Sequence, residues 1–412
     1  MIYKLRYNIP MNQHTNRKSI LLISIVSFSI VFLTFIISLI ARGYKINLKQ
    51  GTILTATGIL SATSEPKAAS VYLDEKLVTA TDNTLNLSPD TYTVKIVKDG
   101  YLPWQKTIQI KKETVYQTNT QLFRSVPDLK PITYTGAINP TVSPDNTKIV
   151  YVVASSSASI DNGLYLMELN NTFSLNFSKN TAKQLSQNLS NVNWSDFSFQ
   201  FSPNSRQILA TNSIKNISYL ISLDTTINPK NLYDVTPTLT TIKTDWQNQL
   251  NQLMSSKMAK IPLELQDLVS TASAQDLQFS ASEEKILFLA KKDGNLRQNI
   301  VTPPPSQSTQ PQSRDVKEGN YYVYDLKDDT NFLIGSKNEI FNLSWLDSSD
   351  NIVFTNQQNI KVADYDGTNQ QTLFAGKFNP STVFPMPGGS KITTLVSPYQ
   401  GAPENLYTIS IK

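Results

Sequence analysis

The sequence has no cysteine and a single histidine, His14. Without cysteine there is no disulfide framework, no thiolate nucleophile and no sulfur ligand for a metal. With His14 placed ahead of a long apolar run, neither a Ser-His-Asp triad nor a histidine-based zinc site can form beyond that run. Glycine is scarce, 14 in 412 residues, and forms no phosphate-cradling loop. Charged residues make up only 17%. No catalytic, metal or cofactor site is therefore expected, and no binding residue is assigned by any motif.

One feature is plentiful near the N-terminus. Residues 20–41, ILLISIVSFSIVFLTFIISLIA, form an unbroken apolar or hydroxyl-bearing run without charge. At about 1.5 Å per residue such a helix crosses the ~30 Å hydrocarbon core of a bilayer. A cleaved signal peptide would have a shorter apolar stretch and small residues before the cut, where Leu39 and Ile40 stand. Lys4, Arg6, Arg17 and Lys18 precede the run and Arg42, Lys45 and Lys49 follow it. The bias places the N-terminus in the cytoplasm and the remainder outside, in a single pass of the cell membrane. Removing Lys4, Arg6, Arg17, Lys18, Arg42 and Lys45 from the 37 basic residues leaves 31 against 32 acids. The sequence pI of about 9.0 thus belongs to the membrane flanks, and no nucleic-acid partner is expected.

Residues 52–123 alternate as strands do. Val71 and Leu73 fall on one face, and Tyr92, Val94 and Ile96 on one face of another strand. Leu87-Ser88-Pro89-Asp90-Thr91 makes a turn, and Lys98-Asp99-Gly100-Tyr101 a second with Gly100 free to take positive φ. A last strand covers 107–110. The series Pro66-Lys67-Ala68-Ala69-Ser70-Val71-Tyr72-Leu73-Asp74, the Leu87–Tyr92 hairpin and the Gly100-Tyr101 close before Trp104 resemble the PEGA domain. Ala68 and Asp90 stand where that family has glycine. The resemblance implies a small β-sandwich of the kind found on bacterial and archaeal surface proteins, and carries no catalytic residue.

Beyond Asp128 the chain repeats itself. Val142-Ser143-Pro144-Asp145 leads to Lys148-Ile149-Val150-Tyr151, and Phe201-Ser202-Pro203-Asn204 to Gln207-Ile208-Leu209-Ala210. Phe279-Ser280-Ala281-Ser282 leads to Lys285-Ile286-Leu287-Phe288, Trp345-Leu346-Asp347 to Asn351-Ile352-Val353-Phe354, and Phe384-Pro385-Met386-Pro387 to Lys391-Ile392-Thr393-Thr394. A third strand follows in each copy, at 164–169, 218–223, 321–326, 360–365 and 406–411. A fourth follows in the first four, at 183–186, 232–235, 332–334 and 371–374. Each sheet has two apolar faces, so copies must pack radially. The pattern resembles the TolB-like, WD40-like repeats of β-propellers. The last copy stops at Lys412 after three strands, and 129–135 supplies its fourth. Five blades follow, or six if the long third copy hides another.

The expected organisation is a mainly β chain. It has a cytoplasmic tail (1–19), a transmembrane helix (20–41), a stalk (42–51), a PEGA-like β-sandwich (52–126) and a β-propeller (127–412). Residues 240–272, with Ile242, Trp246, Leu250, Leu253, Met254 and Ile261 at helical spacing before Pro262, form a helical insertion. It either packs on the propeller's side or docks a partner. The Pro/Gln/Ser-rich stretch 298–319 reads as a disordered loop. Asp145, Asp347 and Asp350 read as turn caps. Asp161, Glu168, Asp196, Asp276 and Glu339 are acids near strand ends, with no spacing that singles out a pair. The expected function is a membrane-anchored, extracytoplasmic binding or scaffold protein of the cell envelope, its propeller recognising a protein or an envelope polysaccharide. A carboxylate-dependent glycosidase or a purely structural surface protein are the alternatives.

Overall fold

The computed structural model describes residues 17–41, 45–47, 52–154, 161–169, 182–189, 191–223, 232–298, 300, 309–347, 350–397 and 399–412. The expected tail up to 16, most of the stalk and residues 301–308 lie outside them. The apolar run forms one helix, α1 (Arg17–Ala41), and its Ile20–Leu39 stretch has a mean hydropathy of 2.9 with none of it packed against the body. Within the expected stalk, Lys45–Asn47 pairs antiparallel with Thr52–Thr55.

The sandwich follows from the alternation. One layer has the strand order Lys76–Ala80, Ser70–Leu73, Asp90–Val97 and Trp104–Ile110, all antiparallel. The facing layer sets Gly58–Ala62 between Val115–Gln117 and Asn83–Leu87. Val71, Val94, Ile96, Trp104, Ile108, Ile110, Leu60 and Leu122 fill the space between them, while Tyr92 is half-buried beside them. Ser88-Pro89 is a corner that carries the chain from one layer to the other, because the strands on either side belong to different sheets. It is not a hairpin. Gly100 takes φ +79°, as its turn requires. Ala68 keeps the glycine-like conformation with φ +57°, held by its N–H to the Thr81 carbonyl at 3.0 Å and by Lys98 Nζ on the Lys67 carbonyl at 2.7 Å. The alanine therefore changes strain at this corner and not its path.

Five antiparallel sheets follow one another after residue 127. Sheet 1 runs from Ile138–Val142 to Lys183–Gln187, and sheet 2 from Ser198–Phe201 to Ile217–Ser222. Sheet 3 runs from Leu277–Phe279 to Thr330–Ser336, and sheet 4 from Phe341–Trp345 to Gln371–Ala375. Sheet 5 has Phe384–Pro385, Lys391–Val396 and Asn405–Ser410, with Asp128–Pro131 on its outer edge. Leu129 lies opposite Ile409 there, so the two expected ends do pair. The strand stops at Pro131, short of the expected 135. In sheet 2 the expected fourth strand is reduced to one bridge, Tyr219 to Asp234, among the described residues.

Apolar residues on the buried faces join neighbouring sheets. Trp194, Phe197 and Tyr219 cluster with Val150, Leu164 and Ile208 between sheets 1 and 2. Separate clusters join sheets 3 and 4, 4 and 5, and 5 and 1. Amide side chains add polar ties. Asn139 and Asn342 occupy matching bulges at φ +51° and +50°, and each donates its amide to the next sheet's backbone, at Phe197 and Pro380 respectively. The remaining face of sheet 3 is covered by the insertion, which forms α2 (Leu239–Met258) and α3 (Leu263–Gln266) around Pro262. Met254, Ile261 and Leu265 bury there beside Leu277 and Phe288, while Leu253 stays 37% exposed.

The stretch 298–319 corrects the composition-based expectation from residue 309 onward. Asp315–Val316 pairs with Gly294–Asn295, and Val316 is fully buried. Arg314 binds the buried Asp329, and Asn331 Nδ2 donates to the Ser313 carbonyl at 2.6 Å. These partners lie outside the segment, where composition cannot show them. Among the described residues the long third copy contributes this two-stranded ladder and no further four-stranded sheet.

Candidate functional site: the cleft between sandwich and sheets

The sandwich sits on sheets 3 and 4 through its strand Trp104–Ile110. That strand buries every second residue, and the pattern puts Lys106 on the inward side between Trp104 and Ile108. An inward lysine needs a partner. It finds one across 260 residues, in the turn after Asn359–Asp364: Lys106 Nζ lies 2.5 Å from Asp366 Oδ2, both side chains nearly sealed from solvent. Trp104 Nε1 donates to Asp364 Oδ2 at 2.8 Å, and the Gln105 N–H donates to Asn369 Oδ1 at 3.0 Å. Phe123 closes the same junction, buried among Leu346, Ile360, Leu373 and Ile411. Burial opposes the Lys106 charge, yet the carboxylates of Asp366 and Asp364 outweigh it and hold the ammonium above the usual lysine range. Burial pushes Asp364 up, against the pull of Lys106 and the hydrogen bonds from Trp104 and Asn369.

A second buried lysine stands nearby. Lys285 opens the second strand of sheet 3, and its Nζ is 2.9 Å from Asp350 and 3.5 Å from Asp325. Both lysines lie over the Tyr365 ring, at 5.2 and 4.7 Å from its centroid. Between these groups and the sandwich edge at 113–121 opens a cleft of about 610 Å³. On its wall, Asp328 is pushed up to about 6 by burial and by Asp325, with Lys285 and Lys327 pulling the other way. The folded protein therefore binds this proton more tightly than the unfolded chain. The stability that the proton contributes is complete below about pH 4 and is lost as pH rises through about 6. Asp328→Asn should stabilise the fold at pH 8 by on the order of 1 kcal/mol after solvent screening, seen as a higher melting temperature, and give no gain at pH 4. Thermal melts at the two pH values check this; an equal effect at both would contradict it.

The acids singled out from sequence are not gathered here. Asp161, Asp196, Asp276 and Glu339 lie at the opposite end of four different sheets, and Glu168 faces Lys148 in sheet 1. Asp145 is a turn cap as expected, accepting from Ser143 and from the Thr147 N–H at 3.1 Å. Asp347 accepts from the Gly388 N–H at 3.1 Å and so ties sheet 4 to sheet 5. Asp350 departs from the turn-cap reading, since its carboxylate is an ion-pair partner of Lys285. Sequence reasoning missed Lys106, Lys285, Asp325, Asp364 and Asp366. The available signal was the lysine at an inward position of an otherwise apolar alternation.

Residues 57–125 match the PEGA domain. The match ends beside Phe123 and Arg124, where the sandwich meets the sheets. The chain is also similar to the putative TolB from Agrobacterium tumefaciens, at 10% identity over 66% of this chain and 78% of that one, with a TM-score of 0.21. TolB from Acinetobacter baumannii is similar at 12% identity over 77% and 59% of the two chains, with a TM-score of 0.23. Hsv2 from Kluyveromyces lactis is similar at 10% identity over 64% and 70%, also at 0.23. No curated protein matches the chain.

Proposed function

We propose that the chain is a single-pass, membrane-anchored binding protein of the cell envelope, with its N-terminus in the cytoplasm and its body outside. The body is a PEGA-like sandwich on a five-bladed β-propeller that binds a protein or an envelope polysaccharide and performs no catalysis. The observation that carries this reading is α1: an uncharged stretch of 20 residues at a mean hydropathy of 2.9, not packed on a body that buries its own apolar faces elsewhere. Such a surface is stable in a bilayer and costly in water. Five consecutive sheets, with the strand Asp128–Pro131 on the edge of the last, support ring closure.

Protease added to intact protoplasts should degrade the body and leave a short membrane-embedded fragment. Full protection of the body would reverse the orientation. A carboxylate-dependent hydrolase is the second reading, because Asp328, held near 6, stands beside Asp325 in the cleft. Release of reducing sugar from envelope polysaccharide by the native protein, and not by Asp328→Asn, would put that reading first.

A further inference from the structure

The cleft has one wall with an unusual property: it is a strand edge. Among the described residues, Val115–Gln117 and Thr120–Gln121 pair in parallel with Gly58–Ala62 and Ser64–Glu65 on one side only. The bonds on that side use alternate residues, with Thr114 accepting from the Ile59 N–H at 2.8 Å and the N–H groups of Thr118 and Thr120 donating to Ser61 and Thr63 at 3.1 and 3.0 Å. The same alternation turns the main-chain groups of Val115 and Gln117 the other way, where no strand lies among the described residues, and Val115 is 61% exposed. Thr120, lining the cleft, keeps a buried hydroxyl without a hydrogen-bond partner. An open edge on a bare surface invites sheet-to-sheet aggregation. Here the turns of sheets 3 and 4 stand opposite, across a cleft of about 610 Å³.

The facing wall is acidic. Six carboxylates line the cleft, among them Asp325, Asp328 and Asp350, against three lysines. Each lysine is already matched: Lys106 to Asp366, Lys285 to Asp350 and Asp325, and Lys327 to Glu284 at 3.7 Å. The excess charge is negative, and its complement is cationic.

We infer that this edge takes an extended, lysine- or arginine-bearing segment of a partner protein as an added strand, its cationic side chains reaching the acidic wall of sheets 3 and 4. The inference deepens the binding-protein reading and rests on it. Main-chain bonds to Val115 and Gln117 supply register, and alternate side chains supply selectivity. The continuous edge is Val115–Gln117 and ends before Asn119, which takes φ +45°, so a peptide of about seven residues, roughly 23 Å long, covers it with residues to spare at both ends.

The test uses the full-length protein in detergent micelles and a fluorescent heptapeptide alternating lysine with valine or threonine, read by anisotropy. The peptide should bind. Alternate N-methylation, which removes its strand donors, should weaken binding at least tenfold, and replacing its lysines by glutamate should abolish it. Asp328→Asn should weaken it several-fold at pH 8; that variant is expected to be more stable at pH 8, so the loss would not reflect unfolding. Equal binding of the N-methylated peptide, or complete displacement by equimolar spermidine, would show plain charge attraction and overturn the added strand. Absence of peptide binding would overturn it too, while the protoplast experiment separately judges the wider reading.

Discussion

Lys106→Met should destabilise the body by about 3–5 kcal/mol, the largest effect expected of a single substitution. Methionine retains the stem's packing and removes only the ammonium. It leaves Asp366 without its 2.5 Å partner in a side-chain environment closed to solvent, beside the half-buried Asp364. The melt of the full chain in detergent should therefore fall, and Asp366→Asn added to Lys106→Met should recover much of the loss, since the second change removes the stranded charge. The Thr368 contacts that shape the Asp366 turn can be kept by the asparagine oxygen. An unchanged melt for Lys106→Met would mean that the pair does not join sandwich to sheets. A double variant no better than the single would mean that charge is not the reason.

The second large effect concerns the strand Asp128–Pro131. Replacing it by a Gly-Ser sequence of equal length removes the ladder to Asn405–Ser410 and exposes that strand as a free edge. Losing a few backbone hydrogen bonds at about 1 kcal/mol each gives on the order of 2–4 kcal/mol. At roughly 2–4 °C per kcal/mol the melting temperature should fall by about 5–15 °C. Concentration-dependent aggregation should accompany it, seen by light scattering. A variant that melts as the native protein does and stays dispersed would place the strand outside the stable unit.

What was legible in the sequence was whatever repeats or alternates locally. The second strands, from Lys148–Val153 to Lys391–Val396, announce themselves by apolar runs after a turn, and each third strand begins one residue earlier than the pattern suggested. Val94 and Ile96 are buried as their alternation required. What was not legible depends on partners far along the chain. Lys148, Lys285 and Lys391 occupy the same place in their repeats, yet only Lys285 is buried, because the sandwich and Asp350 close over it. Asp350 looks like a turn residue until sheet 3 is set beside it. Asp366 and Lys106 meet only after two separately folded layers dock. Arg314 and Val316 sit in a low-complexity stretch whose order comes from Asp329 and Gly294.

The proposed ring depends on the meeting of 128–131 with 405–410 at the edge of sheet 5. The absence of native cysteine makes this directly measurable. Asp128 lies opposite Ser410 near the end of the ladder, neither of them fully buried. Opposed residues of antiparallel strands have Cα atoms about 4.5–5.5 Å apart, within the range a disulfide spans. The Asp128→Cys/Ser410→Cys double variant, oxidised as the folded full-length protein, should form an intramolecular disulfide, seen as loss of both thiols and a reduction-sensitive gain in gel mobility. Two thiols that stay reactive, or cross-links only between molecules, would contradict the closed ring.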